Sequence, residues 1–228
     1  MSEFSVIIPT LQRAAELHEL VEMCAAHPLV LEVLVINNAP APLRWESPKV
    51  RVLQQAQNIY VNPAWNLGAR EARGEYLAIL NDDVMFAPRL LDDVARHLRR
   101  PFVGLIGVGE AAINADGAGK GRTTFAPSFT RTTGYGMAMF LQRSGYVPVP
   151  EDMLIWHGDD WLYTHQRSLN WELRGTPVLT EVSVTSGDPA FRALLGEDSR
   201  AAREHGDGGY AHRTRWARRV WERLPASH

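Results

Sequence analysis

The stretch EYLAILNDDV, Glu75–Val84, decides how the chain reads. Tyr76 to Leu80 are mostly apolar and are bounded by Gly74 and Asn81. The run is too short for a helix and reads as a buried strand. It delivers Asn81, Asp82 and Asp83 at its carboxyl end, where an open α/β sheet binds its ligands. Adjacent carboxylates repel each other unless a cation or several donors hold them. Hard oxygens suit Mg2+ or Mn2+, which bind through one or two carboxylates plus substrate phosphates. The plainer alternative is an Asn-Asp-Asp turn, or a cap on the next helix.

On either side of this stretch, strands and helices alternate. FSVII (Phe4–Ile8) reads as the first strand, stopped by Pro9, with Thr10 as the cap of a helix. Leu17, Leu20, Val21 and Cys24 fall at i, i+3, i+4, i+7, one buried stripe. Val30–Ile36 and Val50–Leu53 follow as strands, the first leading into Asn37, Asn38 and Ala39. Asn62-Pro63 predicts a helix start, with a capping side chain and then proline, and the helix runs to Arg73. Pro88–Leu98 is a further amphipathic helix, so the first hundred residues predict a parallel sheet covered by helices. Beyond the apolar run Val103–Val108, Gly109–Gly121 reads as a surface loop. Gly136–Leu141 reads as a buried strand, and a helix begins in the acidic pair Asp159-Asp160. Val178–Thr185 alternates as a strand does, and Pro189–Leu224 is helical and rich in arginine.

Composition narrows the class. The 228 residues suffice for one large domain, and 45% hydrophobic with 22% charged residues is ordinary for a soluble globular chain. A net charge of −2 supplies no global field to attract nucleic acid. Cys24 is the single cysteine, which excludes an intrachain disulfide and fits a reducing, cytoplasmic setting. MSEFSVIIPT has the form of no signal peptide, and no run approaches the length of a membrane span.

Several motifs stand in a telling order: FSVIIPT, VLVINNA, Asn58 followed by Asn66-Leu67-Gly68, EYLAILNDDV, and GDDW. Over roughly residues 4–187 the chain resembles the family 2 glycosyltransferases of the GT-A fold, an α/β architecture with a mixed central sheet flanked by helices. The resemblance implies inverting transfer of a sugar from a nucleotide diphosphate sugar, with Mn2+ or Mg2+ as cofactor. It implies a glycosyltransferase domain over 1–187, with a donor half to about 108 and an acceptor half over 109–187. Residues 188–228 are then a helical, arginine-rich extension. Pro9, Thr10 and Arg13 correspond to the loop that meets the nucleotide. Asn37, followed by Asn38, stands where the family usually has an aspartate facing the base. Asn66, Gly68 and Arg70 lie on the helix flanking the donor. Asn81 and Asp83 take the ends of the Asp-x-Asp motif, with Asp83 as metal ligand, Asn81 as ribose or sugar contact and Asp82, the middle position, turned toward the donor or its surroundings. Asp160 matches the catalytic base and Asp159 its neighbour. The histidine that many relatives place after the late strand is missing from Val184-Thr185-Ser186-Gly187, which leaves hydroxyls, water, His157, His165 or His212 to complete a metal shell. The wording of PEDMLIWHGDDWLY and TEVSVTSG looks more loosely like bacteriophage-encoded members.

The chemistry asks for such groups. A departing diphosphate needs its charge neutralised, and an attacking hydroxyl needs a carboxylate to take its proton. Two neighbouring acids can raise the pKa of one of them, although a helix N-terminus also favours acids. Tyr135, Gly136 and Trp161 are candidate acceptor contacts, and the loop Gly109–Phe125 is a candidate cover for the donor. In RTRWARRVWERL, Trp216, Val220 and Leu224 recur at helical spacing, which predicts a packed helix with a solvated basic face. A membrane-surface or nucleic-acid contact is the alternative. Acceptors open to such an enzyme are a glycan, a lipid-linked sugar, a protein or a modified base of phage DNA, and a homodimer is among its assemblies. Two rival functions use similar acids: a nucleotidyltransferase, disfavoured by the glycine-poor VIIPTLQR, and a non-catalytic nucleotide- or metal-binding module, disfavoured by the second acidic pair.

Overall fold

A computed structural model describes residues 3–115, 122–181 and 189–223. Its frame is an eight-stranded mixed sheet in the order β3-β2-β1-β4-β8-β6-β9-β7. The strands are β1 (Phe4–Thr10), β2 (Val30–Asn37), β3 (Val50–Gln54), β4 (Tyr76–Leu80), β6 (Val103–Val108), β7 (Thr124–Ser128), β8 (Ala138–Gln142) and β9 (Leu169–Arg174). The first four are parallel, as the alternation of strand and helix predicts. β8 runs antiparallel between β4 and β6. A separate ribbon pairs β5 (Met85–Phe86) with β10 (Val178–Leu179).

The near-continuous apolar runs of β1, β2 and β4 follow from burial on both faces. Val6, Ile8, Val33, Val35, Tyr76 and Ala78 face one layer, with α1 (Leu17–Ala26) and α3 (Leu90–Leu98) over them. Ile7, Leu34, Ile36, Leu77 and Ile79 face the other, with α2 (Val61–Glu71) and α4 (Gly158–Thr164). Near the start of β2, the fully buried Glu32 is clasped by Arg51 at 2.9 Å and Arg73 at 2.8 Å, and Ser5 Oγ donates to it at 2.8 Å. Burial alone would raise its pKa, but these bonds outweigh that and leave it at about 2.

The chain then closes through short helices: α5 (Pro189–Arg192), α6 (Leu195–His205), α7 (Tyr210–Arg213) and α8 (Arg215–Trp221). Ala201 and Tyr210 join the second core layer, and Tyr210 Oη donates to Ser128 O at 2.7 Å. The segment through Tyr210 is therefore fastened to the body.

Several local expectations change. Thr10 is the last residue of β1, seven residues before α1, so it caps no helix; Glu16 holds the N-cap position without a side-chain bond, and the Thr10 hydroxyl goes to Asp82. Asn62 lies inside α2, and its amide donates to Met153 O and Trp156 O instead of capping. That helix ends at Glu71, and β8 starts two residues later than its apolar run suggests, after a single tight turn at Tyr135–Met137. The late strand is described only as Val178–Leu179, and its expected continuation through 182–185 lies outside the described residues. The same holds for Leu224 and for 116–121 of the expected covering loop. The predicted packing of α8 fails: Trp216 is 71% and Val220 54% exposed.

Candidate active site

Because β8 runs antiparallel to β4, its entry at Gly136–Ala138 sits beside the carboxyl end of β4, and Asn81 N–H donates to Met137 O at 2.9 Å. The acids after β4 are tied to both neighbours. Thr10 Oγ1 donates to Asp82 Oδ2 at 2.6 Å. Asp83 Oδ2 accepts from Thr180 Oγ1 at 2.7 Å and from Glu181 N–H at 3.1 Å, so the segment after β10 grips it. Burial pushes the Asp82 carboxyl above its usual range; the Thr10 bond opposes this and the charge of Asp83 adds to it. Two hard carboxylates, one of them resisting ionisation, form a donor set that a divalent cation suits when substrate phosphates complete the shell. Among the described residues no group of three or more His, Cys, Asp or Glu side chains could enclose a metal by itself. The residues present would suit an ion shared with a substrate's phosphates, to which Asp83 and Asp82 could offer oxygens.

The second acidic tip comes from α4, whose Leu162 and Tyr163 anchor it in the core while its first turn faces the cleft. Asp159 lies against Gly136, where a Cβ would come within 2.7 Å of Asp159 Oδ2, so this approach requires glycine. Arg131 spans the pair: its Nη1 is 2.9 Å from Asp159 Oδ2, and its Nε donates to Asp160 Oδ1. Asp160 Oδ2 also meets His157 Nδ1 at 3.3 Å, and His157 Nε2 meets Ser199 Oγ of α6 at 2.9 Å. Burial raises the Asp159 pKa, Arg131 opposes the rise, and Asp160 reinforces it. Burial alone would lower the Arg131 pKa, but the two acids hold it above its ordinary value.

Both tips open onto one cavity of about 390 Å³. Pro9, Thr10, Arg13, Asn38, Asn81, Asp82 and Asp83 line its donor-half wall, and Gly136 and Asp159 line the other. Asn38 Oδ1 accepts Ile59 N–H at 3.1 Å. Asn58 and Tyr60 border both this cavity and a second one beyond it. Tyr60 has φ 66° and ψ 179°, a backbone region that is almost exclusively glycine's, and Asn58 Oδ1 holds its N–H at 2.8 Å.

Other expected site residues lie elsewhere. Asn37 is fully buried and spends its side chain on Gln12, Ala39 N–H, Ala41 O and Gln54. Asn66 bonds Val149 and Tyr146. A Cβ on Gly68 would come 2.4 Å from Ile7, so it serves the approach of α2 to β1. Arg70 borders the second cavity. Tyr135 is enclosed, with its hydroxyl shared between Leu105 O and Trp171 O. Trp161 stacks on His165 at 3.6 Å and donates to Pro148 O. Asp160 and the three candidate histidines do not line the cavity.

Arg131, Phe191 and Asp198 escaped the sequence reading. Phe191 lines the cavity and lies 5.8 Å under the Arg13 guanidinium. Asp198, 1% exposed, accepts the N–H groups of Leu154, Ile155 and Trp156 at 3.1, 2.8 and 2.8 Å, and so fixes the loop leading into α4. Each acts across a long sequence separation and has no spacing that marks it.

The mixed α/β sheet flanked by helices is shared with several solved glycosyltransferases. S. aureus TarS 1–349 in complex with UDP-GlcNAc superposes with a TM-score of 0.61 at 15% identity, over 84% of this chain and 64% of TarS. A mannosyltransferase from Pyrobaculum calidifontis with GDP-Man and Mn2+ gives 0.59 at 15% identity, over 93% and 69%. GalNAc-T7 with UDP, GalNAc and Mn2+ gives 0.60 at 13% identity, over 79% and 44%. The fold is thus GT-A. The model of the family described as "Glycosyl transferase family 2" matches residues 5–150, more than half of the sequence, and the chain belongs to that family. The uncharacterized protein y4gI of Sinorhizobium fredii (strain NBRC 101917 / NGR234) is 30% identical over 115 residues, 45% of this chain. The chain spans only 13% of that relative's length and less than two thirds of TarS 1–349.

Proposed function

We propose that this protein transfers a sugar, with inversion, from a nucleotide diphosphate sugar to an acceptor hydroxyl. One observation carries the reading: Asp82 and Asp83 after β4, and Asp159 at the start of α4, border the same cavity. Family membership and the nucleotide sugars bound by TarS and the mannosyltransferase support the donor class.

Pro9, Thr10, Arg13 and Asn38 form the nucleotide wall. Asn38 replaces Asn37 as the amide offered to a base edge, because Asn37 is saturated by its own loop. Asn81 contacts the ribose or sugar, and Asp83 with Asp82 holds Mn2+ or Mg2+. Such an ion, when bound, screens the charge of the departing diphosphate. The acceptor oxygen bonds to the anomeric carbon from the face opposite the diphosphate as the carbon–phosphate-oxygen bond breaks, and its proton passes to a carboxylate. Asp159 is that base, since its carboxylate lines the cavity and its raised pKa favours proton uptake. Asp160, held by His157 and Arg131, keeps the Arg131 fork oriented on Asp159.

Titration with UDP- and GDP-sugars, with and without Mn2+, tests the donor side. Asp83→Ala should abolish the metal-dependent part of binding, and unchanged affinity refutes the ion site. Asp159→Asn should keep donor binding and cut transfer about 100-fold or more, while Asp160→Asn retains more activity. The opposite ranking returns the base to Asp160.

A further inference from the structure

Helix α8 does not pack as an amphipathic helix normally does. Trp216, Val220 and Trp221 are 71%, 54% and 46% exposed, and no α8 residue is buried. At about 100° per residue, Trp216, Val220, Ala217 and Trp221 fall within an arc of about 140°. Arg218, Arg215 and Arg219 fill an arc of roughly 100° on the other side. Arg213 and Arg223 flank the helix, and Glu222 pairs with Arg218 at 2.9 Å. This basic sector stands out in a chain of net charge −2.

We propose that α8 is an interfacial helix that lays this protein on an anionic bilayer surface. The charge of the helix selects the partner. A second copy docked on this face would cover the apolar side but leave the arginines, on the opposite side of the helix, without a counter-charge. A nucleic-acid backbone satisfies the arginines but leaves two tryptophans and a valine without an apolar environment. A lipid headgroup layer takes both: arginines meet lipid phosphates while indole rings settle at the acyl boundary. Among the described residues no helix is long and apolar enough to cross a membrane, so the contact is one of lying on the surface. The link from Tyr210, fastened in the core, gives the helix a rigid base.

Co-sedimentation of the full chain with phosphatidylcholine vesicles, with and without 30% phosphatidylglycerol, tests this. Binding should require the anionic lipid and fall steeply in 0.5 M NaCl. Arg215→Glu/Arg219→Glu should lower the partition coefficient about tenfold or more. Trp216→Ala/Trp221→Ala should lower it by a similar factor while leaving the melting temperature unchanged, since both side chains are exposed. Equal binding to neutral vesicles, or a tryptophan variant that binds anionic vesicles as the parent does, overturns the proposal. So does a duplex DNA competitor that holds the chain off the vesicles and binds the tryptophan variant undiminished.

Discussion

His97 should make this protein lose stability in mild acid. It sits on α3 at 3% exposure, stacked on Phe125 at 4.1 Å and edge-on to Trp171 at 4.5 Å. Among the described residues its Nε2 has no hydrogen-bond partner. Burial, aided by the charge of Arg100, lowers its pKa from 6.5 to about 4. Between those values the unfolded chain takes up a proton that the folded chain refuses. Stability is therefore whole above about pH 7, falls as the pH drops toward 4, and levels off below. The gap between 6.5 and about 4, at roughly 1.4 kcal/mol per pH unit, amounts to about 3 kcal/mol. His97→Phe preserves the stack and removes the proton site. Urea unfolding of parent and variant at pH 7.5, 6, 5 and 4 isolates the effect, because Glu32, Asp82 and Asp159 cancel in the difference. The variant should gain about 2–3 kcal/mol on the parent between pH 7.5 and 4. A difference that stays flat across that range refutes the argument.

Two further outcomes follow from other strained or buried groups. Tyr60→Gly removes a side chain from a backbone conformation that costs roughly 1–3 kcal/mol, against about 1 kcal/mol of added chain entropy. The melting temperature should rise by about 2–4 °C while donor affinity falls, and a variant that melts lower shows that Tyr60 is not strained. Asp198→Asn leaves part of the Leu154–Trp156 amide cluster unsatisfied and should cost roughly 2–3 kcal/mol. It should also reduce turnover about tenfold or more at unchanged donor KM, because the loop it secures carries the acids and not the nucleotide wall; a rise in donor KM with turnover intact would refute that division.

The strands that built the frame were legible because their burial is two-sided: Val6–Ile8, Val33–Ile36 and Tyr76–Leu80 have no polar face to obscure the pattern. The convergence of 81–83 with 159–160 was an expectation of the resemblance, and the cavity takes in Asp159 but not Asp160; the sequence contains no spacing that shows it. Polar residues were hardest to place, since the identity of an amide or hydroxyl does not reveal its partner. Thr10 looks like a cap and serves Asp82; Asn62 looks like a cap and serves two loop carbonyls. Asn37 and Asn38 are indistinguishable as letters, yet one is consumed by Gln54 and Ala41 and the other borders the cavity. Arg131 and Asp198 find the acidic loop only after folding, 29 residues from Asp160 and 42 residues from Trp156.

The grip of Asp198 on three successive amides has a practical bearing on how this protein can be recombined. The family-wide segment stops at residue 150, whereas the backbone presenting Asp159 is moored to α6. A chimera that exchanges everything after the shared segment would import a new acid pair together with its own mooring. One that exchanges only the loop over 151–164 would set a foreign backbone against the resident carboxylate. The exchangeable module therefore runs at least through Ser199, and the acid pair keeps its mooring only when that join is respected.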